Sequence, residues 1–129
     1  MKLGEKQELF MRLLPRLIDK AHELGFEIRG GDLFRDPRVH GQINVKQGYG
    51  AKNSCHKLKL AIDLNLFKDG AFIQTTEGHR ELGEWWEKQH ELCRWGFFIL
   101  QYSIGKSCTS ILLSTRTCLT RSSIPSVCI

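Results

Sequence analysis

From Phe97 to Ile129 this chain has no acidic residue and no histidine. All fourteen Asp and Glu and all five His of the 129 residues precede that point. The stretch can therefore supply neither a carboxylate base nor an imidazole ligand. Other absences narrow the function further. No apolar run is long enough to span a bilayer. The N-terminus lacks the apolar segment of a signal peptide, so cytoplasmic synthesis is expected, with any export by another route. No run of Lys and Arg is interleaved with aromatics, so the net charge of +5 does not argue for nucleic acid. The five cysteines are an odd number, and Cys108, Cys118 and Cys128 lie too far apart for zinc-finger pairs. No disulfide framework follows from them.

What is present suits one α+β domain. Residues 5 to 24 carry Leu9, Phe10, Leu13, Leu14, Leu17, Ile18, Ala21 and Leu24 at helical spacing. Pro15 should kink or split that helix, and Gly25 should stop it. His22 is expected at the surface. Phe26 to Arg29 reads as a short strand, broken by Gly30 and Gly31. Residues 37 to 53 read as a long loop, with His40 exposed and Tyr49 either packed or lining a groove. Asp69-Gly70 between apolar runs is a hairpin signal, so a strand over residues 60 to 67 should pair with residues 71 to 75. Thr75 or Thr76 should open a helix over residues 78 to 94, with Leu82, Trp85, Trp86, Gln89, Leu92 and Cys93 inward.

The chain is organised around residues 53 to 67, a loop delivering His56 and then a strand delivering Asp63. Leu60, Ile62, Leu64 and Leu66 alternate onto one face, which is core. Asp63 is on the other face, mid-strand, where an unpaired carboxylate is costly. A straight strand from His56 to Asp63 would span about 23 Å, whereas two ligands of one zinc lie about 3 Å apart. A shared metal therefore requires the chain to double back near Lys57 to Lys59. The other reading is a buried Asp63 held by a neighbouring loop, with His56 on the surface. Cys55 beside His56 is a poor nucleophile pair, because neighbours on an extended segment point apart.

Ser54-x-His56-x-x-Lys59-x-Ala61-x-Asp63 resembles the Ser-x-His-x-x-Gly-x-Ala-x-Asp signature of a zinc peptidase family. That family includes D-alanyl-D-alanine dipeptidases and carboxypeptidases and the L-alanyl-D-glutamate endopeptidases of phage endolysins. Lys59 replaces the usual glycine, as a basic residue often does in phage members. The resemblance covers roughly residues 4 to 96. It implies zinc as cofactor, His56 and Asp63 as ligands, a peptidoglycan peptide as substrate, and a hedgehog/DD-peptidase-like fold with a small antiparallel sheet flanked by helices. It also implies an arginine supporting substrate and oxyanion; Arg35 matches best, with Arg29 next. A salt bridge from Arg35 to Asp32 or Asp36 is the alternative. Ser54 would bind substrate or steady the motif loop. The basic excess suits approach to an anionic cell wall, and a monomer is expected.

The family places its last zinc ligand and general base after the turn that Trp95-Gly96 begins. Glu87 and His90 have the right spacing but read as a helix pair. The sequence thus divides into an incomplete peptidase-like domain over residues 1 to 96 and an atypical tail over 97 to 129, without lasting strand or helix period. Loss of the last strands is expected, and an out-of-frame translation near codon 96 would explain the break. A degenerate wall-binding protein and an unrelated α+β domain remain the rivals.

Overall fold

The computed structural model describes residues 1–99 and 107–113. Helix α1 (Leu3–Glu23) buries Phe10, Leu13, Leu14, Leu17 and Ala21, the stripe its periodicity predicts. Pro15 does not split it. The proline lies on the exposed side, where the ring removes only its own N–H from the helical ladder while the buried stripe holds both halves to the core.

Strand β1 (Glu27–Gly30) leads to a one-turn helix, α2 (Pro37–His40), and a 3-10 turn spans Cys55–Leu58. Strand β2 (Ala61–Lys68) pairs antiparallel with β1, placing Arg29 opposite Asn65 and Ile28 opposite Leu66. Asp69 and Gly70 both take positive φ, 51° and 78°, the conformation of a tight two-residue hairpin. The returning strand, β3 (Ala71–Phe72), is shorter than the expected 71 to 75. Helix α3 (Thr76–Glu87) begins where Thr75 Oγ1 accepts from Gly78 N at 3.1 Å.

Helix α3 ends well before the expected residue 94. Cys93 already belongs to β4 (Cys93–Ile99), and Trp86 Nε1 donates to Arg94 O at 3.1 Å, tying helix to strand. Leu82 and Trp86 are buried as expected, and Phe10 meets Trp86 edge to face at 6.1 Å. A side chain at Gly83 would place its first carbon 2.1 Å from the Trp95 ring, so the close approach of α3 to β4 requires glycine.

The sheet does not stop at Gly96, contrary to the expected loss of the last strands. Strand β5 (Ser107–Leu113) inserts between β2 and β4, giving the order β1-β2-β5-β4 with β3 also on β2. Its register sets Ser110 opposite both Asp63 and Gly96. Backbone pairing explains this. The Ala61–Leu64 edge of β2 needs hydrogen-bond partners, and the uncharged, partly β-branched segment 107–113 can supply them without a strict apolar alternation. Cys118, Cys128 and the Ser/Thr-rich run before Pro125 lie outside the described residues. Among the described residues no helix is long and apolar enough to cross a membrane.

Candidate metal and arginine site

Asp63 occupies the middle of β2, on the face opposite the buried Leu64 and Leu66. The segment after β1 is laced to it by backbone. Gly31 N donates to Asp63 O at 2.8 Å, and Asp63 N donates to Asp32 O at 2.9 Å. Gly31 must lack a side chain, since its first carbon would come within 2.9 Å of Asp63 Cβ.

The motif loop doubles back where the shared-site reading needs it. Ser54 opens the 3-10 turn, its Oγ accepting from His56 N at 3.3 Å. Lys59 closes the turn at φ 56°, ψ 36°, in the left-handed region. The span of about 23 Å for a straight strand thereby collapses. His56 Nε2 lies 3.3 Å from Asp63 Oδ1, with the imidazole fully buried.

The other imidazole nitrogen fixes the meaning of that contact. His56 Nδ1 is 3.3 Å from Leu33 O. A carbonyl can only accept, so this contact assigns a proton to Nδ1 and leaves Nε2 as the nitrogen that faces Asp63. Nε2 is buried and makes no hydrogen bond among the described residues. A lone pair facing a carboxylate in a buried site is unfavourable until a proton or a cation lies between them.

Arg35 braces the cluster. Its Nε donates to Asp32 Oδ2 at 3.0 Å, its Nη1 to Ser54 Oγ at 3.3 Å and its Nη2 to Asp63 Oδ2 at 3.4 Å. Its backbone N donates to His56 O at 3.1 Å. Arg35 thus makes the salt bridge to Asp32 that was its alternative reading, and it also stands beside Asp63. Asp36 is not a partner; it caps α2 and pairs with Arg38 at 2.5 Å. Arg29 is not among the residues that Arg35 joins.

Tyr49 completes the surround. Its hydroxyl donates to Asp32 Oδ2 at 2.6 Å, and the Arg35 guanidinium carbon lies 5.1 Å from its ring centre. Burial alone would raise the Asp32 carboxyl, but the Tyr49 hydroxyl and the Arg35 guanidinium outweigh it and hold the group below its ordinary range. The same bond to Asp32 pushes the Tyr49 phenol up, assisted by burial.

Two readings of the 37 to 53 stretch need correction. It is not all loop, because Asp36 and Pro37 start α2. His40 is not exposed; it is buried and packs edge to face on Tyr49 at 4.6 Å. The sequence also gave no hint of Lys57. Its buried ammonium donates to the carbonyls of Gln42, Val45 and Lys52 at 3.2, 2.8 and 3.1 Å, pinning the loop beside His56. Burial, with Lys46 nearby, pulls the Lys57 pKa down.

Glu87 and His90 have backbone duties elsewhere. Glu87 accepts from Trp95 N at 3.2 Å. His90 lies past the end of α3, not on it, and its Nδ1 accepts from Leu92 N at 3.1 Å. Cys93 is buried, which pushes its thiol up to about 11. Such a thiol is a poor ligand or nucleophile.

His56 and Asp63 fit two corners of a zinc site. Donors 3.3 Å apart, each about 2.0–2.1 Å from a common ion, subtend about 107°, close to tetrahedral. Among the described residues no group of three or more His, Cys, Asp or Glu is gathered to hold a metal. Comparison with protein-family models, curated proteins and solved structures found no match to this chain.

Proposed function

We propose that this chain carries the zinc-and-arginine half of a metallopeptidase acting on peptidoglycan stem or cross-link peptides, of the phage or prophage endolysin type. The observation that carries this reading is the buried, hydrogen-bond-free His56 Nε2 facing Asp63 Oδ1 at 3.3 Å. Lys59 adds support. It stands at φ 56°, a conformation that favours glycine, at the motif position where the resembling family carries glycine.

In this reading His56 and Asp63 hold the metal. A zinc ion there would supply Lewis acidity and a water acidified toward neutral pH. Arg35 stands beside Asp63, where its charge can offset negative charge developing on a substrate carbonyl. Asp32 and Tyr49 keep that guanidinium in place. Ser54 accepts from Arg35 and from His56 N, so its role is to steady the motif loop and the arginine together. The protein would act on the cell wall once released from the cytoplasm.

A second reading has a specific observation in its favour: a degenerate peptidase that binds the wall without turnover. The gathered ligands number two among the described residues, and a catalytic zinc site uses three. Metal content tests both readings against chance resemblance. Purified chain titrated with zinc up to millimolar concentration is expected to bind metal weakly, and His56→Ala and Asp63→Ala are expected to lose that binding while remaining folded. Equal binding by all three proteins, or none by any, removes the site. Hydrolysis of purified cell walls then separates enzyme from degenerate binder.

A further inference from the structure

The face of β2 that presents Asp63 continues away from it as a row of cross-strand pairs. Gly31 N is bonded to Asp63 O; next come Arg29 opposite Asn65, then Glu27 and Phe72 flanking Phe67. Arg29, Asn65, Phe67 and Phe72 line one open recess of about 300 Å³. The Arg29 guanidinium carbon lies 4.0 Å from the Phe67 ring centre, and the Phe67 and Phe72 rings are 5.1 Å apart. Stacking fixes the guanidinium plane and leaves its N–H edges available. Among the described residues the Arg29 side chain makes no ion pair and no hydrogen bond. Glu27 lies on the same face one pair further on, without bonding it.

We propose that Arg29 and Asn65 form a carboxylate-binding subsite, and that the substrate is an acidic peptide lying along this face. The guanidinium supplies paired donors for a carboxylate, the Asn65 amide a further donor, and the Phe67–Phe72 floor covers aliphatic chain. Residues 63 and 65 are about 7 Å apart along a strand. The recognised carboxylate therefore lies within about two residues of the bond presented to His56 and Asp63. The choice of occupant rests on the peptidase reading, and in a stem peptide the group of matching chemistry is the free α-carboxylate of D-glutamate.

The test uses two C-terminally amidated stem tetrapeptides, L-Ala-γ-D-Glu-L-Lys-D-Ala, one with the D-glutamate α-carboxylate free and one with it amidated. Binding is followed by NMR titration of the full chain with zinc. The free carboxylate is expected to bind about tenfold more tightly. Arg29→Gln should bring the two peptides within about twofold, and Arg29→Lys should keep part of the difference. Asn65→Asp, which sets an internal carboxylate opposite Arg29, should abolish the preference even if Arg29→Gln fails to fold. No preference in the unaltered chain, or a preference that survives these changes, overturns the subsite. Zinc retention is measured on the same samples. Loss of zinc with the preference intact sinks the peptidase reading and leaves the subsite standing; zinc without preference does the reverse.

Discussion

At the scale of single residues, Lys59 is the least comfortable member of the motif. A side chain in the left-handed region costs on the order of 1 kcal/mol. Lys59 regains a little from its ammonium, 4.9 Å from the Phe34 ring centre, an exposed contact worth about 0.5 kcal/mol. Lys59→Gly is therefore expected to stabilise the fold by about 0.5 kcal/mol or more, read as a higher urea midpoint. An unchanged or lower midpoint would mean that the turn is not strained. Asp32 makes a second residue-level prediction. Its folded pKa is lowered from 3.8, so its stabilising contribution is present above that value and is lost as pH falls through the folded pKa. Tyr49 has the opposite sign: its phenol is raised from 10.0, so its contribution is present below that value and is lost as pH rises through the folded pKa. Tyr49→Phe removes one bond from Asp32 and should move the Asp32 midpoint upward in a carboxyl NMR titration. It should also shrink the acid-side loss of stability. A midpoint that does not move would assign the depression to the charges of Arg35 and His56.

At the scale of elements, α1 and the Lys57-pinned loop carry the clearest consequences. Pro15 sits exposed in mid-helix, so Pro15→Ala restores one backbone bond at no packing cost. It should stabilise the protein by about 2–3 kcal/mol in thermal unfolding. A smaller gain would mean that the helix already accommodates the ring at little cost. Lys57→Met leaves three carbonyls of the 42–52 segment without their shared donor. Amide exchange across that segment should quicken, with about 1–3 kcal/mol of stability lost. Protection that stays the same would show that α2 and Tyr49 hold the loop unaided. These two elements also mark how far the sequence could be read. The α1 stripe, the Asp69-Gly70 turn and the Thr75 cap are local signals, and each appears where its residues place it, whereas the α3 stripe stops at Trp86 because the helix ends at Glu87. His56, Asp63, Ser54 and Arg35 are named by the resemblance to the peptidase family, and their side chains lie together in the structure; a fold-back near Lys57 to Lys59 follows from the distance two ligands need. Lys57 was illegible because its partners are backbone carbonyls 5, 12 and 15 residues away, which carry no side-chain signature. The burial of His40 and the bond from Tyr49 to Asp32 depend on how the same loop folds over.

At the scale of the whole molecule, the question is whether the chain beyond Gly96 completes the site. Strand β5 closes the sheet against β2, and its register sets position 110 directly opposite Asp63. The residue there is serine, which is not among the usual zinc ligands, and no acid or histidine follows Gly96 to serve as general base. The chain as it stands is therefore expected to hold zinc weakly and to hydrolyse peptidoglycan poorly. Loss of a positioned acid–base group alone lowers rate about a hundredfold to ten-thousandfold. Two changes should separate the deficits. Ser110→His sets a second imidazole at the register position opposite Asp63 and should tighten zinc binding without restoring turnover. A chain whose residues after Gly96 are replaced by a segment containing Asp/Glu-x-x-His should gain lytic activity in a cell-wall turbidity assay with added zinc. The encoding DNA provides an independent check, because an out-of-frame tail predicts such a segment in an alternative frame past codon 96. Equal lysis by the unaltered and replaced chains would mean that the present tail already completes the site, and the account of an impaired peptidase would be wrong.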